Sequence, residues 1–220
     1  MKDYYTVVAS LPHLPYFADA ERLPLTRLRL EQRLRMLDES ETRQIYLAER
    51  LVGWRPSSTA QFGSGAKAIE RINRSLQDIS EPVLREFVEY RLDMQTLLAA
   101  LRIRQAQRSP PGAEIWGMGS HVRRIEANWD VPDFHLSHVY PWLLEADRLI
   151  AAADAVALDR LLMEVVWRHL SRLADTNPFG FEPIVAYVFQ WDILQAWLLR
   201  DADAAKHHFK KLIDEVKHVQ

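Results

Sequence analysis

Cysteine is absent from this chain, which excludes a disulfide framework, a thiolate zinc centre and a thiol nucleophile together. Glycine is scarce, with 7 in 220 residues, so few positions break a helix or build the tight turns of an all-β fold. No run of ~18 apolar residues passes uninterrupted, so no segment reads as a membrane-spanning helix. The opening MKDYYTVVASLPHL has one lysine and a short apolar run broken by Pro12. That is too short for a secretory signal, and the expected location is cytoplasmic. A large excess of either charge is missing too: 28 Lys+Arg stand against 30 Asp+Glu. Residues 1–110 carry 17 basic and 14 acidic side chains, and residues 111–220 carry 11 and 16. Neither half offers the basic surplus that a nucleic-acid binder needs. Even the cluster Arg27, Arg29, Arg33 and Arg35 is diluted by Glu21, Glu31, Asp38 and Glu39, the pattern of a solvated or protein-contacting face.

What is present is apolar residue at helical spacing. With 48% hydrophobic and 26% charged residues, the chain is an ordinary globular sequence able to bury its own core. Tyr4 to Leu11 fits either a strand or a short buried helix. Leu30, Leu34 and Leu37 mark a helix within 25–37, preceded by Pro24. Asp38 and Glu41 have the spacing of a capping box that opens a helix to about Val52. WRPSSTAQFGSG reads as a loop, and a short helix follows over 66–76. Ser80 is the expected cap of a long helix with Pro82 in its first turn. Val83, Phe87, Tyr90, Met94, Leu97 and Leu101 form a seam in that helix to about Gln107. RSPPGA ends it. The stretch 114–142 is irregular. Helices are expected again over 141–153, from Asp154 to the break DTNPFGFEP, and over 183–200 and 202–219, the last two separated by Asp201. The fold class is therefore all-α, as one helical domain of residues 1–220. A shift of 97 residues lays Phe87, Tyr90, Leu97 and Leu101 on Ile184, Tyr187, Leu194 and Leu198. It suggests two related helical units of about 1–110 and 111–220, although bundles share such spacing by chance.

Chemistry-bearing motifs are sparse. His135 and His138 form an HxxH that would set two imidazoles on one helix face as metal-ligand candidates, yet a metal needs further ligands and no HExxH surrounds them. The lone ExxH, Glu215 to His218, has no second copy. GSGAK at 63–67 lacks the ending of a phosphate loop and reads as a mobile loop. Ser120 beside His121, and Ser171 near His169, sit in no nucleophile elbow. No catalytic, cofactor or metal residue is assigned. The seven tryptophans suit a packed core or a protein-contact surface.

Three segments carry a resemblance. YYTVVASLPHLPYF, residues 4–17, is similar to the start of a small bacterial family of unknown function encoded beside V-type ATPase subunits. EYRLDMQTLLAALRIRQ, residues 89–105, resembles a helix of the V-type ATPase C subunit (the d subunit of eukaryotes). Asp93 and Arg102 match its aspartate and the arginine nine residues on, while Thr96 replaces its asparagine. FGFEPIVAYVF, residues 179–189, resembles the same family's FG-x-EP-x-x-x-Y break through Phe179, Gly180, Glu182, Pro183 and Tyr187, with Asp192 loosely matching a following acid. The resemblance implies a reduced form of that C subunit, a non-catalytic helical adaptor between the central shaft and the membrane rotor ring of a V-type ATPase. Such a protein would need no cofactor, would not insert in the membrane, and would sit at the inner membrane only through the complex. Asp93, Arg102, Glu182, Tyr187 and Asp192 would be structural or interface positions. Asp93 and Arg102 are expected near one helix face, ~13 Å apart along the axis and each paired with another element. The competing readings are a small metal-dependent enzyme using His135 and His138, and an unrelated helical scaffold for another protein.

Overall fold

The computed structural model describes residues 4–54, 65–107, 109, 111 and 115–217. Among them are nine α-helices and no strand: α1 (Tyr5–Ser10), α2 (Arg27–Leu34), α3 (Glu39–Val52), α4 (Ala66–Gln77), α5 (Pro82–Gln107), α6 (Val122–Ala127), α7 (Leu143–Ala151), α8 (Ala155–Thr176) and α9 (Glu182–Lys217). One 3-10 turn, Phe17–Asp19, interrupts the extended stretch between α1 and α2. One core joins residues from Val7 to Leu194. Most of the loop WRPSSTAQFGSG, with the first two residues of GSGAK, lies outside the described residues, as do His218 and parts of RSPPGA.

The expected helices form, and their ends show what the sequence pattern missed. Thr26 caps α2 by accepting from the Arg29 N–H at 3.4 Å. The helix therefore starts beyond Pro24, and Leu37 is buried after its end. The capping box of Asp38 and Glu41 opens α3 as its spacing requires. Ser80 does not cap α5. The Gln44 side-chain carbonyl, projecting from α3, accepts the backbone N–H of both Ser80 and Glu81 at 2.8 Å, fixing the chain just ahead of the helix's first residue, Pro82. The expected seam of α5 is only part of its buried surface. Leu84, Val88, Leu92, Leu98 and Ala100 are buried as well, because α3, α7 and α9 all pack on this helix. A helix covered on several sides shows no single narrow apolar stripe.

Two further readings are corrected. Residues 122–127 form a helix inside the stretch read as irregular. The expected pair of C-terminal helices is one helix of 36 residues, about 54 Å long. No glycine or proline follows Pro183, so Asp201 lies within α9 rather than capping a second helix. Helices α8 and α9 form the most extensive helix pair, joined by the turn at Asn177–Gly180. Gly180 lies close under the Asn177 and Glu182 side chains, whose ends would have to turn aside for an added Cβ.

Candidate functional site

The two outer segments of the sequence resemblance, far apart along the chain, meet on one surface. Tyr4 packs its ring against Phe181 with centroids 5.6 Å apart, and Tyr5 lies 6.2 Å from Phe179. The first pair faces inward: Phe181 is buried, and the Tyr4 hydroxyl donates to the buried Glu41 at 2.7 Å. The second pair faces outward, with Tyr5 59% and Phe179 65% exposed. The alternation follows from helix geometry at the tyrosine doublet, since adjacent residues point about 100° apart. Beyond α1 the chain lies along the hairpin of α8 and α9. Phe17 is fully buried against Trp167 and Trp197, and Tyr16 meets Trp167 edge-on.

Between this segment and the hairpin lies a cleft of about 590 Å³. Its walls are mostly apolar, from Val8, Leu11 and Leu14 on one side and Ala174, Pro183 and Ala186 on the other. The lining residues with polar side-chain groups are His13, Tyr16, Trp167, Ser171, Tyr187 and Gln190. Two of these are tied to each other and to α8. The Gln190 amide donates to the Ser171 hydroxyl at 2.9 Å, and that hydroxyl donates to the Trp167 carbonyl at 3.0 Å. Tyr187 differs. It is 8% exposed, and its buried hydroxyl has no hydrogen-bond partner among the described residues. An unmet buried hydroxyl costs about 1–3 kcal/mol. Burial pushes the phenol up to about 12, against the opposing charge of Arg33, so it stays a donor.

A second polar centre sits on α5. The Asp93 carboxylate is buried and accepts from the Ser120 backbone N–H at 3.0 Å, the Ser120 hydroxyl at 3.4 Å and the Tyr140 hydroxyl at 3.3 Å. His121 Nε2 stands 3.7 Å from it. Burial holds this carboxyl above its usual range, while His121 and the bonds from Ser120 and Tyr140 pull the other way. One turn on, the Thr96 hydroxyl bonds both the carbonyl and the N–H of Met118 at 2.8 Å. Gly119 makes this approach possible: its φ is +83°, and an added Cβ would lie 1.9 Å from Asp93 Oδ1. Among the described residues, the polar contacts of Asp93 therefore hold the 117–140 segment to α5.

Arg102 does not share this role. Nine residues make two and a half turns, which turns it to the side opposite Asp93. It is exposed, with no ion-pair partner recorded among the described residues. The arginine that pairs is Arg104, eleven residues from Asp93 and nearly on its face. Its guanidinium donates to the carbonyls of Trp129, Val131 and Pro132 and to Asp147 at 2.8–3.3 Å, and covers the buried ring of Phe134 at 4.6 Å.

Asp192 is 1% exposed and accepts the Trp54 backbone N–H. Arg91, also buried, donates to the Val52 carbonyl at 3.4 Å and stacks 4.3 Å from the Trp54 ring. Burial lowers its pKa to about 10, against Tyr90 and Asp192. Together these side chains fix the end of α3 to α5 and α9. Glu182 occupies the first turn of α9, where a carboxylate suits the helix dipole. His135 and His138 do not share a helix face. Both are exposed in a turn where Phe134 and His135 have φ of +51° and +56°, held by Asp133 accepting from the backbone of His135 and Ser137. Among the described residues no three His, Cys, Asp or Glu side chains converge as a metal site. No described helix is long and apolar enough to cross a membrane.

No curated protein and no solved structure matches the chain. Residues 74–220 match the family model DUF2764, described as a protein of unknown function. The match takes in Asp93, the 117–140 segment and the whole α8–α9 hairpin. On this extent, two thirds of the sequence, the chain belongs to the DUF2764 family.

Proposed function

We propose that this protein is a non-catalytic helical adaptor or accessory of a V-type rotary ATPase, binding the central shaft and the rotor ring from the cytoplasmic side in the manner of the C subunit. One observation carries the reading. The segments at 4–17 and 179–189 that resemble the ATPase-associated families pack against each other, and they leave the Tyr5–Phe179 ring pair exposed at their junction. Aromatic groups held on fixed helix ends suit a protein contact, because they bury much area with little loss of side-chain freedom. The body behind them is stiff, with α5 covered on several sides and α3 tied at both ends by buried polar groups. Such a body can pass force without bending.

Tagged protein recovered from native membranes, analysed by mass spectrometry, tests the proposal. The parent is expected to bring down ATPase components. A Tyr5→Ser, Phe179→Ser double variant with unchanged thermal melting should lose about 90% of that recovery, as hot-spot aromatics do. Recovery of the parent without any ATPase component overturns the rotary reading. Another partner, lost on the same double variant, would identify an unrelated scaffold.

A further inference from the structure

We infer that the C-terminal part of α9 pairs in parallel with the same part of a second copy of this chain. The inference goes beyond the ATPase proposal and does not depend on it. Helix α9 outruns its partner in the hairpin. Arg200 pairs with Asp159, and α8 begins one turn beyond, at Ala155. In this antiparallel arrangement α8 can therefore flank α9 only to about residue 204. The helix goes on to Lys217, about 13 residues or ~20 Å further. This extension keeps the spacing of the body. Ile184, Val188 and Trp191 form a fully buried line on α9. After Gln195 the same alternation of fours and threes runs on through Leu198, Ala202, Ala205, Phe209, Leu212 and Val216. The heptad register of the buried line is thus repeated on a length that α8 does not reach. Leu199, beside the line where the extension starts, is already 57% exposed. Most helical stability in a protein comes from packing an apolar face, so this line calls for a partner.

The charges choose that partner. With Phe209 at an a position, Asp201, His208 and Glu215 fall at g on one flank of the line. Lys206 and Ile213 fall at e on the other flank, with Lys210 and Lys217 next to them at b. In a parallel pair the g flank of each helix faces the e flank of the other. Two copies therefore set an acidic flank against a lysine flank on both sides of the seam. An antiparallel pair sets lysine flank against lysine flank and acid against acid. An anionic lipid surface also takes a lysine-bearing apolar helix, but it would be repelled by the acids at one margin of the line.

Sedimentation equilibrium of the full chain over a concentration series reads the inference directly. The parent is expected to dimerise. Phe209→Asp should weaken the dimer at least ~10-fold while the body keeps its cooperative melt, since residue 209 lies beyond the part that α8 flanks. Lys206→Glu should weaken it at least ~3-fold, and Asp201→Lys combined with Lys206→Glu should restore it. The chain has no cysteine, so Val216→Cys can cross-link only to itself. It should do so under mild oxidation, as a parallel seam requires, and Lys210→Cys should not. A monomer up to the solubility limit, a dimer indifferent to Phe209→Asp, a charge swap that restores nothing, or absence of the Val216→Cys cross-link overturns the inference. A monomer that instead binds vesicles of anionic phospholipid, and loses them on Phe209→Asp, overturns it in favour of a lipid surface.

Discussion

Two stretches of this chain have little regular helix, residues 11–26 and residues 115–142, and different forces fasten them to the helical body. The first is held by rings. Phe17 sits between Trp167 and Trp197, Tyr16 meets Trp167, and the hydrogen bond tying its far end is donated by the Trp191 indole to the Leu25 carbonyl at 2.7 Å. The second buries rings too, among them Trp129, Phe134 and Tyr140, but its backbone is also pinned by three polar side chains of α5: Asp93 and Thr96 grip 118–120, and Arg104 grips 129–132. Ring burial is non-directional and tolerates salt and pH. Polar pins fix a backbone register but fail singly, because removing one partner strands the other.

The comparison implies an ordered set of losses on mutation. Phe17→Ala should be the most damaging single change, at about 3–5 kcal/mol by urea denaturation. A loss smaller than that of Asp93→Ala would break the contrast. Asp93→Ala leaves the Ser120 N–H and the Tyr140 hydroxyl unmatched and should cost about 2–3 kcal/mol. Asp93→Asn keeps an acceptor for Ser120 and should lose less. Gly119→Ala drives a Cβ into the same carboxylate, so its cost should fall when combined with Asp93→Ala, a non-additivity that a double-mutant cycle measures. Arg104→Ala should cost about 1–2 kcal/mol and raise amide exchange around 131–136 more than around 117–120.

The smallest effect is on pH dependence. The carboxyl of Asp93 is raised by burial, so between the ordinary value of 3.8 and its native value the folded protein holds the extra proton. Its contribution to stability therefore falls as pH rises through that window. His169, stacked 4.1 Å from Tyr90, is lowered from 6.5 by burial and by Arg172. Its contribution is lost as pH falls from 6.5 toward its native value. Stability curves of Asp93→Asn and His169→Phe should each lack one of these slopes, while Phe17→Ala shifts the curve without reshaping it.

Most of the helical frame was legible from apolar spacing and from local signals such as the Asp38–Glu41 box. What escaped depends on contacts between elements. Gln44 holds the chain leading into α5 from another helix, and no local pattern announces that. Helix α6 is one short segment between turns, below the length at which a period shows. Asp93 was singled out by resemblance, and it lies at the centre of a polar cluster. Its partners Ser120 and Tyr140 come from the stretch where sequence offered no periodicity. The cleft could not be foreseen, since its walls come from opposite ends of the chain.

The bond between Trp191 and Leu25 spans 166 residues, and this separation has a consequence for biosynthesis. The ribosome delivers residues 4–25 long before the α8–α9 hairpin that receives them. At roughly 5–20 residues per second, the early aromatic stretch waits roughly 10–30 s for its binding surface. During translation Tyr16 and Phe17 lack the Trp167 and Trp197 rings that cover them, while α3 to α5 can already dock. Nascent chains halted before residue 180 should therefore hold chaperone through that stretch, and release it once α9 has emerged.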